Sequence, residues 1–123
     1  MQISLDTNFG AFYIRSYQPG ELVINNQTIF NSIILTPTEI IASWGPQNFN
    51  QLTLDHLKLL LNNQPEIILL GTGELQHFLS EDFLKLFYNH KIGIEVMTTA
   101  AACRTYNVLI SEGRKVNAGL LIH

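Results

Sequence analysis

The chain has 123 residues, enough for one buried core and too few for separate cofactor and substrate lobes. Only 14% of the residues are charged, against about 25% in an average soluble domain, and eleven Asn with seven Gln outnumber the seventeen Asp, Glu, Lys and Arg. The net charge is −3, with four acids against Arg15 alone in residues 1–57 and six acids against six bases in 58–123, so neither half holds the cationic surplus that neutralises a nucleic-acid backbone.

In chain order, alternation through Phe12, Ile14 and Tyr17 predicts a strand, and Pro19-Gly20 a turn. Leu22 to Ile24, an Asn25-Asn26 corner and one strand over 28–34 read as a hairpin, followed by a short strand over 39–42. Residues 1–50 are thus mainly β, an antiparallel meander. From residue 51 the period changes. Thr53 can cap a helix whose Leu54, Leu57, Leu60 and Leu61 share one side, ending near Asn62-Asn63 before Pro65. The continuous apolar run 67–70 predicts a strand covered on both faces. A helix capped by Ser80 carries Phe83, Leu84, Leu86 and Phe87 inward, and a strand follows over 93–97. A third helix runs from Thr99 to Ser111 and stops at Gly113, and Val116 to Ile122 form the last strand. Short strand-helix-strand connections require parallel pairing and right-handed crossovers. The turns Gly71-Thr72-Gly73 and Met97-Thr98-Thr99 are therefore expected on the same edge of one sheet. No linker divides the chain, so 1–123 is expected to be a single α/β domain with a βαβαβ second part.

That shared edge is where chemistry could sit. A glycine turn after a buried strand can offer N–H groups to a phosphate, although Gln76 stands where a dinucleotide motif has its third glycine. The alternative is a tight turn in which Gly permits close packing. The third helix has no acid in its first turn, so an anion could sit at its positive end. Arg104 and Asn107, three apart, share one face and could reach toward the same group; otherwise Arg104 forms a structural ion pair with Glu112 or Glu95. Candidate ligand or anion residues are therefore Gly71, Thr72, Gly73, Thr98, Thr99, Arg104 and Asn107. Cys103 beside Arg104 could be an activated thiolate, but free cysteines are usually inert core residues. As the one cysteine it also rules out an internal disulfide and suits a reducing compartment. His56, His77, His90 and His123 lack metal-binding spacing, so no metal and no cofactor are expected. Glu81-Asp82 are the one adjacent carboxylate pair and favour the helix start after Ser80. The N-terminus has no basic stretch leading into an apolar one, and no apolar run approaches the ~20 residues that span a bilayer. The chain reads as a soluble cytoplasmic protein.

The run Leu70-Gly71-Thr72-Gly73, the stretch from Glu95 through Thr98, Arg104, Tyr106 and Asn107 to Leu109, and Glu112-Gly113-Arg114-Lys115-Val116 together resemble the family of the mitochondrial complex I (NADH:ubiquinone oxidoreductase) assembly factor 3 and its bacterial and archaeal relatives. Trp44 also fits that pattern, and the resemblance covers nearly the whole chain. It implies a three-layer domain with a mixed central sheet, in which Glu95, Tyr106, Glu112 and Arg114 are structural signature residues. It does not imply an established enzyme activity, and the mitochondrial relatives imply an action through protein partners. Two departures are the lack of a mitochondrial targeting extension and Thr98, where an acidic residue is expected. The expected function is a non-enzymatic protein-binding or assembly module, with homodimerisation through an uncovered strand edge allowed. The alternative is a small-anion or nucleotide-like ligand-binding domain, or an enzyme, built on Gly71–Gly73 and Thr98–Asn107.

Overall fold

A computed structural model describes residues 12–123. Residues 1–11, on which the expectation about a leader rests, lie outside the described residues. The strands are β1 (Ile14–Gln18), β2 (Glu21–Ile24), β3 (Gln27–Ile29), β4 (Ile33–Leu35), β5 (Ile40–Ile41), β6 (Ile67–Gly71), β7 (Ile94–Met97) and β8 (Val116–Leu120). The α-helices are α1 (Leu54–Lys58), α2 (Glu81–Asn89) and α3 (Thr99–Ser111), with single 3-10 turns at Phe49–Gln51 and Leu59–Leu61.

β1, β2 and β3 form a small antiparallel sheet. The main sheet is mixed, in the order β5-β4-β8-β6-β7. β4 is antiparallel to β5 and β8, and β6 is parallel to both β8 and β7. The expected single strand over 28–34 is therefore two strands in two sheets, broken at Phe30-Asn31-Ser32. The break has a cause in the last strand, because β4 must leave the meander to reach β8. Ser32, at the crossing point, accepts the Ile122 N–H at 3.0 Å and donates to the Gln47 carbonyl at 3.4 Å.

The main sheet is apolar on both faces, which explains its unbroken runs of Ile and Leu. On one face Ile33, Leu35, Leu69, Ala118 and Leu120 pack with the inner side of α3 and with the meander's Ile14, Leu22 and Ile24. On the other, Ile34, Ile68, Leu70 and Leu121 pack with Trp44, Leu57, Leu60 and Phe87. The layers are thus meander and α3, main sheet, then α1 and α2.

Local signals place the helices. Thr53 accepts the His56 N–H, and His56 Nδ1 lies 3.0 Å from the Thr53 nitrogen, a reciprocal capping box. The helix expected to run to Asn62 tightens to a 3-10 turn after Lys58. The physical reason is Asn117, buried in β8, whose Nδ2 donates to the carbonyls of both Leu60 and Asn62 at 2.9 Å. Ser80 caps α2 and Thr98 caps α3 through their side chains. At the end of α3, Gly113 has φ of 78°, and the Arg114 N–H returns to the Leu109 carbonyl.

β8 can lie beneath Trp44 only because position 119 has no side chain. A Cβ there would come within 2.7 Å of Trp44 Cη2 and 3.1 Å of Leu60 Cδ2. Gly119→Ala is therefore expected to cost about 1–3 kcal/mol through overpacking, read as a lower urea midpoint with altered native tryptophan fluorescence. An unchanged midpoint would show that the indole layer gives way freely.

Candidate functional site

The parallel pairing of β6 and β7 brings Gly71, Thr72 and Gly73 beside Met97, Thr98 and Thr99, the edge expected from their strand-helix spacing. The polar groups of these residues are turned on one another. Thr72 N–H donates to the Met97 carbonyl at 2.8 Å, and its hydroxyl donates to the Leu75 carbonyl at 2.6 Å. Thr99 N–H donates to the Gly73 carbonyl at 2.9 Å, while Gly73 N–H donates to Thr99 Oγ1 at 2.8 Å. The same hydroxyl donates to the Leu121 carbonyl at 2.6 Å, and Leu121 N–H returns to the Gly71 carbonyl at 3.0 Å. Thr72 and Thr99 are both buried.

The two glycines serve close approach. A Cβ on Gly71 would lie 2.9 Å from Thr99 Cα, and Gly73, at φ of 97°, would drive one into the His123 carbonyl. Nor is the start of α3 an open anion cradle. Thr99 N–H is held by Gly73, Ala101 N–H by the Thr98 hydroxyl at 3.3 Å, and Ala102 N–H by the Thr98 carbonyl at 2.9 Å. The Ala102 bond is the first regular turn of the helix, and of the N–H groups that a helix start leaves free, those of Thr99 and Ala101 thus already have partners within the fold.

Arg104 and Asn107 do not join this cluster. Asn107 grips the backbone of Ile14, accepting its N–H at 3.0 Å and donating to its carbonyl at 2.8 Å. Arg104 is exposed on α3. The expected ion pair of Arg104 with Glu112 or Glu95 does not form. The ion pairs among the described residues are Lys58 with Asp55 and Arg114 with Glu66, because Arg114 follows the α3 C-terminus back to the start of β6. There Glu66 accepts from Arg114 Nε at 3.0 Å and from the Lys115 N–H at 3.1 Å. The Lys115 N–H first, then the Arg114 guanidinium, hold the Glu66 carboxyl below its usual range. Glu112 ends α3 and Glu95 is exposed on β7.

Tyr106 is buried on the inner side of α3, and burial raises its phenol. Burial likewise pushes the Cys103 thiol up to about 12, with Arg104 pulling weakly the other way. Burial thus favours the protonated thiol over the thiolate that would act as a nucleophile. The histidines have separate roles: His56 in the α1 cap, His77 stacked on Phe49 at 4.3 Å between ring centres, and His90 against the Leu86 carbonyl. No group of three or more His, Cys, Asp or Glu fit to hold a metal occurs among the described residues. Among them, too, no helix is long and apolar enough to cross a membrane.

Asn117, Ser32 and Glu66 belong to no motif, and Gln76 stands out only as a departure from one, though each bonds to a residue distant along the chain. An asparagine inside the apolar strand 116–122 was the one available signal. A groove of roughly 580 Å³ lined by Pro37, Thr38, Asn63, Gln64 and Lys115 lies toward the other end of the parallel strands, where Lys115 leads into β8.

A family model described as "Protein of unknown function (DUF498/DUF598)" matches residues 14–121. The chain belongs to the DUF498 family. It is similar to the human NADH dehydrogenase [ubiquinone] 1 alpha subcomplex assembly factor 3, at 32% identity over 90% of this chain and 61% of that protein. The chain thus spans about three fifths of the length of that relative. It is also similar to the 13 kDa major membrane protein of Francisella tularensis, at 28% identity over 85% of this chain and 86% of that one. Among solved structures, a Bordetella pertussis protein described as an Mth938-like domain matches with a TM-score of 0.80 and 28% identity, covering 92% of this chain and 87% of that chain. The resemblance seen in the sequence, and the three-layer α/β fold it implied, are thereby established.

The buried Thr99 hydroxyl gives this DUF498 edge a direct test. Thr99→Val keeps the shape but leaves the Gly73 N–H and the Leu121 carbonyl without partners. It is expected to cost about 2–4 kcal/mol, while Thr99→Ser retains most of the stability. Equal urea midpoints for the two variants would refute the role of the hydroxyl. Cys103 in the native protein is expected to react with a thiol reagent at pH 8 on the order of a hundredfold more slowly than in the urea-unfolded chain; equal rates would show an accessible thiolate.

Proposed function

We propose that this DUF498 chain is a non-enzymatic module that binds protein partners during assembly of a larger complex. The observation that carries this reading is the similarity, over 90% of the chain, to a protein named as an assembly factor. The geometry is consistent with it. At the edge where a ligand or catalytic group is expected, the Thr72 and Thr99 hydroxyls and the Gly73 N–H are bonded within the fold, while Leu75 and Phe78 in the following loop are exposed. Large exposed apolar side chains suit protein contacts better than chemistry. Partners are inferred to be proteins rather than nucleic acid, since no cationic surplus exists in either half.

The rival reading keeps one observation. Arg104 is exposed and in no ion pair among the described residues, on a helix with no acid in its first turn. An anion-binding domain built on Gly71–Gly73 and Thr98–Asn107 would use that guanidinium.

Affinity-tagged full-length protein, cross-linked in its native cells and recovered for quantitative mass spectrometry, separates the two. A defined partner set in near-stoichiometric amount, with no heat on titrating phosphate or nucleotide, is the expected result. No partner above the control, together with micromolar binding of phosphate or a nucleotide that Arg104→Ala abolishes, would overturn the module reading. We also place the protein in the cytoplasm; retention in the membrane fraction after a high-salt wash would move it to the membrane, as the name of the Francisella relative has it.

A further inference from the structure

β7 is one of the two outer strands of the main sheet among the described residues, and the longer of them, since β5 at the other edge has only two residues. The bond from Thr72 N–H to the Met97 carbonyl sets which way its backbone faces. With the register Gly71↔Met97 and Leu69↔Glu95, the N–H and C=O groups of Met97 and Glu95 point to β6, and those of Ile94 and Val96 point out of the sheet. One of these outward groups is provisionally occupied. Gln76 Nε2 donates to the Val96 carbonyl at 3.0 Å, in the place an added strand's N–H would take. Gln76 is itself exposed, so its amide is easily replaced.

The same loop carries the two most exposed large apolar side chains among the described residues, Leu75 at 70% and Phe78 at 83%. Its charge has one sign. Residues 71–82 contain Glu74, Glu81 and Asp82 and no Lys or Arg, and Glu95 adds a fourth carboxylate on β7. All four are exposed, and none is in an ion pair among the described residues.

Resting on the protein-binding reading above, we propose that the β7 edge is a strand-addition site for an extended partner segment with alternating apolar side chains and flanking Lys or Arg. The incoming backbone displaces Gln76 and pairs with Ile94 and Val96. Its apolar side chains meet Leu75 and Phe78, and its cations meet the four carboxylates. A second copy of this chain fits poorly, because two-fold pairing of β7 with itself would set the same carboxylates against each other.

The test uses full-length protein labelled with nitrogen-15 and a short end-capped peptide of alternating lysine and valine, with a glutamate-valine peptide as its counterpart. The lysine peptide is expected to shift the amide signals of Leu75, Gln76, Phe78, Ile94 and Val96, and the glutamate peptide to leave them in place. Val96→Pro removes an outward N–H not used in the sheet and is expected to weaken binding at least about tenfold. Should that variant fail to fold, the surface double change Glu74→Lys with Glu95→Lys is expected to do the same. Gln76→Ala is expected to leave affinity unchanged or raise it. Equal binding of the two peptides, shifts confined to other elements, undiminished binding by the folded variants, or concentration-dependent broadening of the β7 signals without peptide would each overturn the proposal. Cross-linked partners retained equally by wild type and the double variant would refute this edge while leaving the module reading intact. Recovery of no partner at all would refute the module reading instead.

Discussion

The Thr99 hydroxyl joins three segments that are distant along the chain. It receives the Gly73 N–H, which follows β6, donates to the Leu121 carbonyl, which follows β8, and sits in the first turn of α3. A buried N–H or carbonyl left without a partner costs about 1–3 kcal/mol, so one oxygen removes two such penalties where three elements converge. The close approach it requires explains both glycines of the Gly71-Thr72-Gly73 turn, since a side chain at either would strike Thr99 or His123. In this fold the Gly71-Thr72-Gly73 turn joins two strands to a helix.

Side-chain amides do the same work elsewhere, which gives the scarcity of charge a structural meaning. Asn107 bonds Ile14 through both N–H and C=O, as a neighbouring strand residue would, and so ties α3 to the meander. Asn117 gathers two carbonyls at the end of the Leu59–Leu61 turn. Gln51 Oε1 accepts the Gln47 N–H at 2.8 Å, and Gln76 covers the outward carbonyl of Val96. An amide can imitate a peptide group in both directions without the desolvation cost of a buried ion. The chain thus joins layers with Asn and Gln where another sequence would use ion pairs, and Arg104, expected to form such a pair, has none among the described residues.

The second half of the fold was legible because its signals are local. Ser80 and Thr98 cap helices at their expected positions, the run at 67–70 is buried on both faces, and the parallel β6–β7 pairing follows from the short crossover. What was not legible depended on non-local pairing. The break at Phe30-Asn31-Ser32 exists because β4 pairs with a strand some 85 residues later, as in Ile33↔Leu120, and no periodicity within 28–34 encodes that. The placing of Thr98 and Thr99 beside Gly71 to Gly73 could be read from topology, but the partners of each hydroxyl could not. Asn107 looked like a companion of Arg104 because three-residue spacing aligns them on a helix; the meander strand that engages Asn107 lies 93 positions earlier.

β8 occupies the middle of the main sheet although it is the last strand in the chain. β4 and β6 each pair with it, and the tail beyond it supplies Leu121 to the Thr99 node and the Ile122 carbonyl to the Gly20 N–H. Closing such non-local pairs is the slow, entropically costly part of folding. The outer strand β7 differs, pairing along one side only and presenting a single side-chain amide on the other. The last strand of the chain is thus paired on both sides at the centre of the sheet, while the outward backbone groups of Ile94 and Val96 lie at its edge. That distribution suits the protein-binding role proposed above, since an addition at the β7 edge need not disturb the bonds that hold the three layers together.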